Sequence, residues 1–188
     1  MRLAKLLCAA VAASLLAGPV LAEGFPNRSF DDLAALDLRL IQEQKKKPEA
    51  GDLFFNPSPD DGGRAMASYT GRSRPIDLRK QAFIIAFASS GAGNEDYARL
   101  YQREYLFQAA GKDYWLPVQG QVSSYFAKEL KPGQPVALYI RNAGGFRNAQ
   151  AWDWVFLVEE FDSANTPKGA APPARKGPAI PPGPKTPA

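Results

Sequence analysis

The chain has 188 residues, is 22% charged and 45% hydrophobic, carries a formal net charge of +4, and contains no histidine and a single cysteine. Zinc, haem and thiol chemistry thereby lose their usual ligands, so no cofactor is expected, and a metal would have to be a hard cation held by oxygen. The small positive balance does not call for a nucleic-acid partner, and no stretch beyond the first 22 residues is apolar enough to span a bilayer.

Met1-Arg2-Leu3-Ala4-Lys5 is a short basic start, Leu6 to Leu16 is apolar, and Val20-Leu21-Ala22 presents small residues for cleavage after Ala22. This is the pattern of a secretory signal peptide over 1–22. The apolar run is broken by Ser14 and Gly18-Pro19, and it falls short of the roughly 20 residues a permanent span needs. Cys8 lies inside the apolar core rather than after it, so cleavage without lipidation is expected. The remaining chain then has neither Cys nor His, which is ordinary in a bacterial periplasm and unusual in an animal extracellular domain.

Residues 23–80 read as an N-terminal helix followed by an irregular basic segment. Ser29 caps the helix, with Asp32 completing a capping box. Leu33, Leu36, Leu40 and Ile41 form its apolar stripe, and it ends through Lys45-Lys46-Lys47 before Pro48. Leu53-Phe54-Phe55 is a short buried strand or a loop anchor. Asp60-Asp61-Gly62-Gly63 lacks the spacing of a calcium loop and reads as a solvated turn, so no metal ligands are assigned. Arg64, Arg72, Arg74, Arg79 and Lys80 are solvated loop charges or a patch for an anionic partner, with Arg72 and Arg74 as candidate contacts.

Residues 81–162 carry the strand signals. Ala82 to Phe87 is a continuous apolar run, expected to be a buried strand over 81–88. Gly91-Ala92-Gly93 fails as a dinucleotide fingerprint because Asp96 stands at the third glycine position. Asn94 either caps a short helix through Tyr97 and Tyr101 or lies in a loop. Strands follow over 102–109 and 113–119, joined by a hairpin at Ala110-Gly111-Lys112-Asp113, and Pro117 puts the second near an edge. Val122, Tyr125, Phe126 and Leu130 recur at helical spacing until Pro132-Gly133. Val136, Leu138 and Ile140 alternate as a strand over 135–141. Trp152, Trp154, Phe156 and Val158 alternate within 151–161, where Val155 makes both faces apolar and predicts a buried middle. Between these strands, 142–150 reads as a loop with Phe146 and Arg147 at its tip beside Gly144-Gly145, either displayed to a ligand or with Phe146 folded back over Trp152 or Trp154 and Arg147 solvated.

The segment 163–188 is rich in Pro, Lys, Ala and Gly with Ile180 as its one large apolar residue, the composition of a disordered, polyproline-biased tail. The expected architecture is therefore α+β and mostly β: a small five-stranded barrel-like sheet with one inserted helix, preceded by an N-terminal helix. This strand and helix order resembles the OB-fold in topology. An SH3-like barrel or an open α+β sheet is the alternative.

For function, the sequence supports a periplasmic, non-catalytic binding or accessory module of the bacterial cell envelope, its partner an envelope protein or an anionic cell-wall polymer. Candidate binding residues are Phe146, Arg147, Arg72 and Arg74. Serine chemistry lacks a histidine partner, and Ser124 and Lys128 are four apart where a serine–lysine motif needs three. The enzymatic alternative is a carboxylate-dependent hydrolase acting on a cell-wall polymer, drawing on Glu104, Asp113, Asp153 or Glu159.

Overall fold

Ser29 starts the first element as its sequence predicts: its hydroxyl accepts from the Asp32 amide at 3.1 Å, and its own amide donates to the Asp32 carboxylate at 2.9 Å. The computed structural model describes residues 25–44, 48–58, 62–92 and 95–163. The readings made for the signal segment 1–22, Lys45-Lys46-Lys47, Asp60-Asp61, Asn94 and the tail beyond Ser163 lie outside these residues. In chain order the elements are α1 (Phe30–Glu43), β1 (Leu53–Phe55), β2 (Gly63–Pro75), α2 (Leu78–Phe87), α3 (Glu95–Arg99), β3 (Tyr101–Ala109), β4 (Lys112–Gln119), α4 (Gly120–Ser123), α5 (Phe126–Glu129), β5 (Pro135–Arg147) and β6 (Trp152–Ser163), with a π turn over Ala88–Ala92.

The fold is mixed α+β, built on one six-stranded sheet in the order β1-β5-β2-β3-β4-β6, with β5 also paired to β6. That second pairing bends the strands into a ring. The ring is not a regular barrel, and the OB-like topology is not confirmed. Its weak seam lies between β4 and β6, which run parallel and meet at Val118 opposite Val158. Pro117 has no N–H and cannot extend the ladder upstream of that bridge.

Four expectations are corrected. The run over 81–88 is not a strand: it lies in helix α2, capped by Asp77, whose carboxylate accepts from the Lys80 amide at 2.9 Å. The basic segment before it is not irregular throughout, because 63–75 forms a long strand between β5 and β3. Residues 142–147 are not loop: they continue β5, where Gly144 and Gly145 lie opposite Phe55 and Phe54 of β1 and Gly145 lies opposite Trp154 of β6. The predicted hairpin is present. Its turn is Ala110-Gly111, with both residues at positive φ (50° and 75°), as a type I′ turn requires. The predicted single helix over 122–130 is two short turns, α4 and α5, that still bury Val122, Phe126 and Leu130.

Two apolar clusters flank the sheet. Inside the ring, Phe30 and Leu33 of α1 meet Ala65, Phe107, Leu116, Val136, Leu138, Phe156 and Phe161, with Phe126 among them. On the outer face, Phe83, Ile84 and Phe87 of α2 cover Ala143, Phe146, Val155 and Leu157. Strand β6 therefore contributes Phe156 and Val158 inward and Val155 and Leu157 outward, which is why its middle is apolar on both faces. Buried Asp37 of α1 ties the layers together by accepting from Asn56 at 2.8 Å and from Asn142 at 2.9 Å.

Candidate functional site

The seam between β4 and β6 opens upstream of Val118–Val158 into a groove of about 470 Å³, within the ~300–1,000 Å³ range of small-ligand sites. Residues 113–116 of β4 form one wall and Trp152, Asp153, Trp154 and Phe156 of β6 the other, while Arg74 enters from β2, Arg79 and Lys80 from α2, and Asp77 from the cap of α2. All three tryptophans of the chain, Trp115, Trp152 and Trp154, line it, and each is only partly buried.

Strand register explains how the cations reach this place. Arg74 lies opposite Glu104, and Glu104 lies opposite Pro117, two residues beyond Trp115 on the same face. Ahead of Arg74, β2 carries a bulge between Tyr69 and Ser73 with Gly71 at φ 80°. The result sets the Arg74 guanidinium 4.1 Å from the centroid of the Trp115 ring and that of Arg72 5.7 Å from it. Beneath them, the Glu104 carboxylate is 0% exposed and accepts from Arg74 Nε and from Lys80 Nζ, each at 2.5 Å. Lys80 Nζ also donates to the Trp115 carbonyl at 3.1 Å, so a side chain of α2 satisfies the β4 edge that lacks a ladder partner.

The same arrangement repeats around the groove. The Arg79 guanidinium lies 4.6 Å over the Phe146 ring and donates to the Arg147 carbonyl at 3.0 Å and to Asn148. Arg147 lies 5.9 Å over Trp152, its register partner, and Trp152 stacks on Trp154 with centroids 5.5 Å apart. A guanidinium laid on an aromatic face gains about 0.5–2 kcal/mol and keeps its planar fork oriented. Such forks suit bidentate pairing with a carboxylate or phosphate.

Each residue singled out from the sequence can now be placed. Phe146 is not at a loop tip: it is 4% exposed, packed against Phe83 under Arg79, with part of its surface at the groove. Arg147 ends β5 rather than crowning a loop. Arg72 and Arg74 share the Trp115 ring. One member of each candidate set, Arg74 and Phe146, lines the groove, while Arg72 and Arg147 lie outside its lining, against the rings of Trp115 and Trp152. Of the four candidate carboxylates, Asp113 and Asp153 line it, each accepting from a neighbouring amide (Gln108 and Asn148), and Glu104 lies buried below it.

Glu159 belongs to another cluster. It accepts from Tyr97 Oη at 2.8 Å and Arg141 Nε at 2.7 Å, while the two phenol oxygens of Tyr97 and Tyr101 are 3.1 Å apart. Burial pushes both phenols well above their ordinary range. Sequence reading placed Lys80 in the basic patch without singling it out, and missed Trp115 as a site residue. The grouping of all tryptophans in one stretch was the available signal, but strand pairing decides that they share a groove.

Among the described residues no helix is long and apolar enough to cross a membrane. Comparison of the chain with family models, with curated proteins and with solved structures found no match. Fold and site together describe a mixed α+β protein with a tryptophan-lined groove at an incompletely closed strand seam, where Arg74, Arg79 and Lys80 stand beside Asp77, Asp113 and Asp153.

Proposed function

We propose that the protein is an exported, periplasmic binding module of the bacterial cell envelope that holds an anionic cell-wall polymer in the β4–β6 groove. One observation carries the reading: three guanidinium groups, Arg74, Arg79 and Arg147, each lie on an aromatic ring around a single groove that also gathers every tryptophan of the chain. Clustered, partly exposed tryptophans are the composition of an interaction surface, and oriented arginine forks select negative charge. Export rests on the sequence Met1 to Ala22; N-terminal sequencing of the periplasmic protein should begin at Glu23, and an uncleaved form confined to membranes would overturn it.

Affinity electrophoresis through gels containing polygalacturonate, with dextran as the neutral control, tests the binding. The chain should be retarded by polygalacturonate alone, and Arg74→Ala combined with Arg147→Ala should weaken retention about tenfold or more, a change of about 1.4 kcal/mol. Equal retardation by dextran, or none by either polymer, overturns the reading.

A second reading, hydrolysis of the polymer by a carboxylate pair, has in its favour that Asp113 and Asp153 stand on opposite walls of the groove. New reducing ends, lost on Asp153→Asn, would favour it.

A further inference from the structure

Beside the first groove lies a second, of about 530 Å³, bordered by Arg28, Arg64, Phe30, Met66 and Tyr114. Tyr114 lines both grooves. It is a fixed wall, since its ring stacks on buried Phe30 with centroids 4.2 Å apart and planes 23° apart. The second groove repeats the chemistry of the first. Arg28 and Arg64 are held together by backbone bonding, Arg28 N donating to the Arg64 carbonyl at 3.2 Å and Arg64 N to Pro26 at 2.8 Å. Their guanidinium groups are braced by the Gly62 carbonyl at 3.0 Å and the Asn27 amide oxygen at 3.3 Å. The acid in this groove, Asp31, is offset by Lys112, whose ammonium lies 2.9 Å from both its oxygens. Met66 is 55% exposed, a large apolar side chain standing on a strand beside the cations.

Resting on the reading of the first groove as a polymer site, we propose that the two grooves form one track for a linear acidic glycan, joined at Tyr114, with Arg28 and Arg64 as a second cationic subsite. Each groove is the size of a small-ligand site on its own, so a ligand that fills both must be a chain. Each pairs cations with apolar faces, Trp115 and Trp152 in one and Tyr114 and Met66 in the other. A sugar acid matches both properties in every residue, through its apolar ring face and its carboxylate. A polyphosphate would use the cations and leave the apolar faces uncovered.

Calorimetric titration of the full chain with short and long oligogalacturonates of defined length, and with polyphosphate, tests this. Occupying the second subsite is an intramolecular step, so affinity should rise about tenfold or more from the short to the long oligomer. Arg64→Gln should abolish that gain and leave the short oligomer's affinity unchanged. Arg28→Gln should do the same, which guards against a folding defect in either variant, while Arg74→Ala should weaken both lengths. An affinity independent of length, or a gain that survives both Arg64→Gln and Arg28→Gln, overturns the extended track and leaves the first-groove reading standing. Failure of every oligomer to bind brings down both. Polyphosphate binding with the same length gain and the same losses overturns the glycan assignment.

Discussion

Glu104 is the residue on which the groove floor depends. A fully buried carboxylate is tolerable only when paired, and here strand register supplies Arg74 while the start of α2 supplies Lys80. The two partners differ. The Arg74 side chain is 47% exposed and can rehydrate, whereas that of Lys80 is 11% exposed and cannot. Glu104→Gln should therefore cost about 3 kcal/mol, the lower end of the ~3–5 kcal/mol expected for breaking a buried pair, read as a shift in the urea midpoint. A cost within the ~0.5 kcal/mol of surface substitutions would mean that the floor is hydrated. Tyr97 and Tyr101 contribute to the alkaline limit, beside the less buried phenols of Tyr69, Tyr114 and Tyr139, which burial also raises. Tyr97 and Tyr101 hold their protons to higher pH in the folded chain than the ordinary value of 10.0, chiefly through burial. Above pH 10.0 the unfolded chain thus binds fewer protons than the folded one, and stability falls as pH rises; below that value the contribution is complete. Urea midpoints measured from roughly pH 9 to 11 should fall, and Tyr97→Phe with Tyr101→Phe should flatten the decline. An unchanged slope in the double variant would locate the alkaline sensitivity elsewhere.

At the scale of elements, α2 and β5 show where local pattern misleads. The apolar run Ala82 to Phe87 has the length and isoleucine content of a buried strand. Yet Ile76, Phe83, Ile84 and Phe87 are buried while Leu78 and Ile85 are exposed, a helical spacing that only the outer sheet face selects. The usable signal was Asp77, a capping residue followed by the good helix formers Leu78, Arg79, Lys80 and Gln81. In β5, Gly144-Gly145 resembles a turn, but the glycines are there for close backbone approach. A Cβ on Gly144, whose φ is 102°, would lie 2.1 Å from the Phe54 carbonyl oxygen, and one on Gly145 would lie 2.7 Å from that of Asp153. Gly144→Ala should destabilise by about 3 kcal/mol or more, combining strain with a backbone clash. Gly111→Ala, at φ 75° with nothing within 4 Å, should cost only about 1–2 kcal/mol. Thermal midpoints compare the two. Equal effects would show that β1 does not hold its place against β5.

For the whole molecule, the interior of the strand ring is filled from several elements at once. Phe126, 1% exposed, meets the rings of Tyr69, Tyr105, Phe107 and Phe161 from β2, β3 and β6. Phe126→Ala should cost about 3–5 kcal/mol in equilibrium unfolding, because a rigid ring of strands cannot collapse into the cavity. The groove should outlast this loss, since it lies at the opened seam and is braced by Glu104, Arg74 and Lys80. A Phe126→Ala protein that folds at low temperature yet no longer binds polygalacturonate would show that core and groove are coupled.

Local chemistry in the sequence determined α1 with its Ser29–Asp32 capping box, the Ala110-Gly111 hairpin, the alternation of β5 and β6, and the burial of Val122, Phe126 and Leu130. Each of these depends on neighbours a few residues apart, or on a periodicity that one buried face imposes. Tertiary structure alone decided that Ala82 to Phe87 is helical, that Gly144-Gly145 lies between two strands, and that residues 63–75 join the sheet. The groove belongs to the second group. Arg74, Lys80, Trp115, Phe146 and Trp152 share a groove because β4 and β6 pair at Val118–Val158 and part upstream of Pro117. Such a meeting is set by register between strands distant in sequence, and no local pattern encodes which strand becomes another's neighbour.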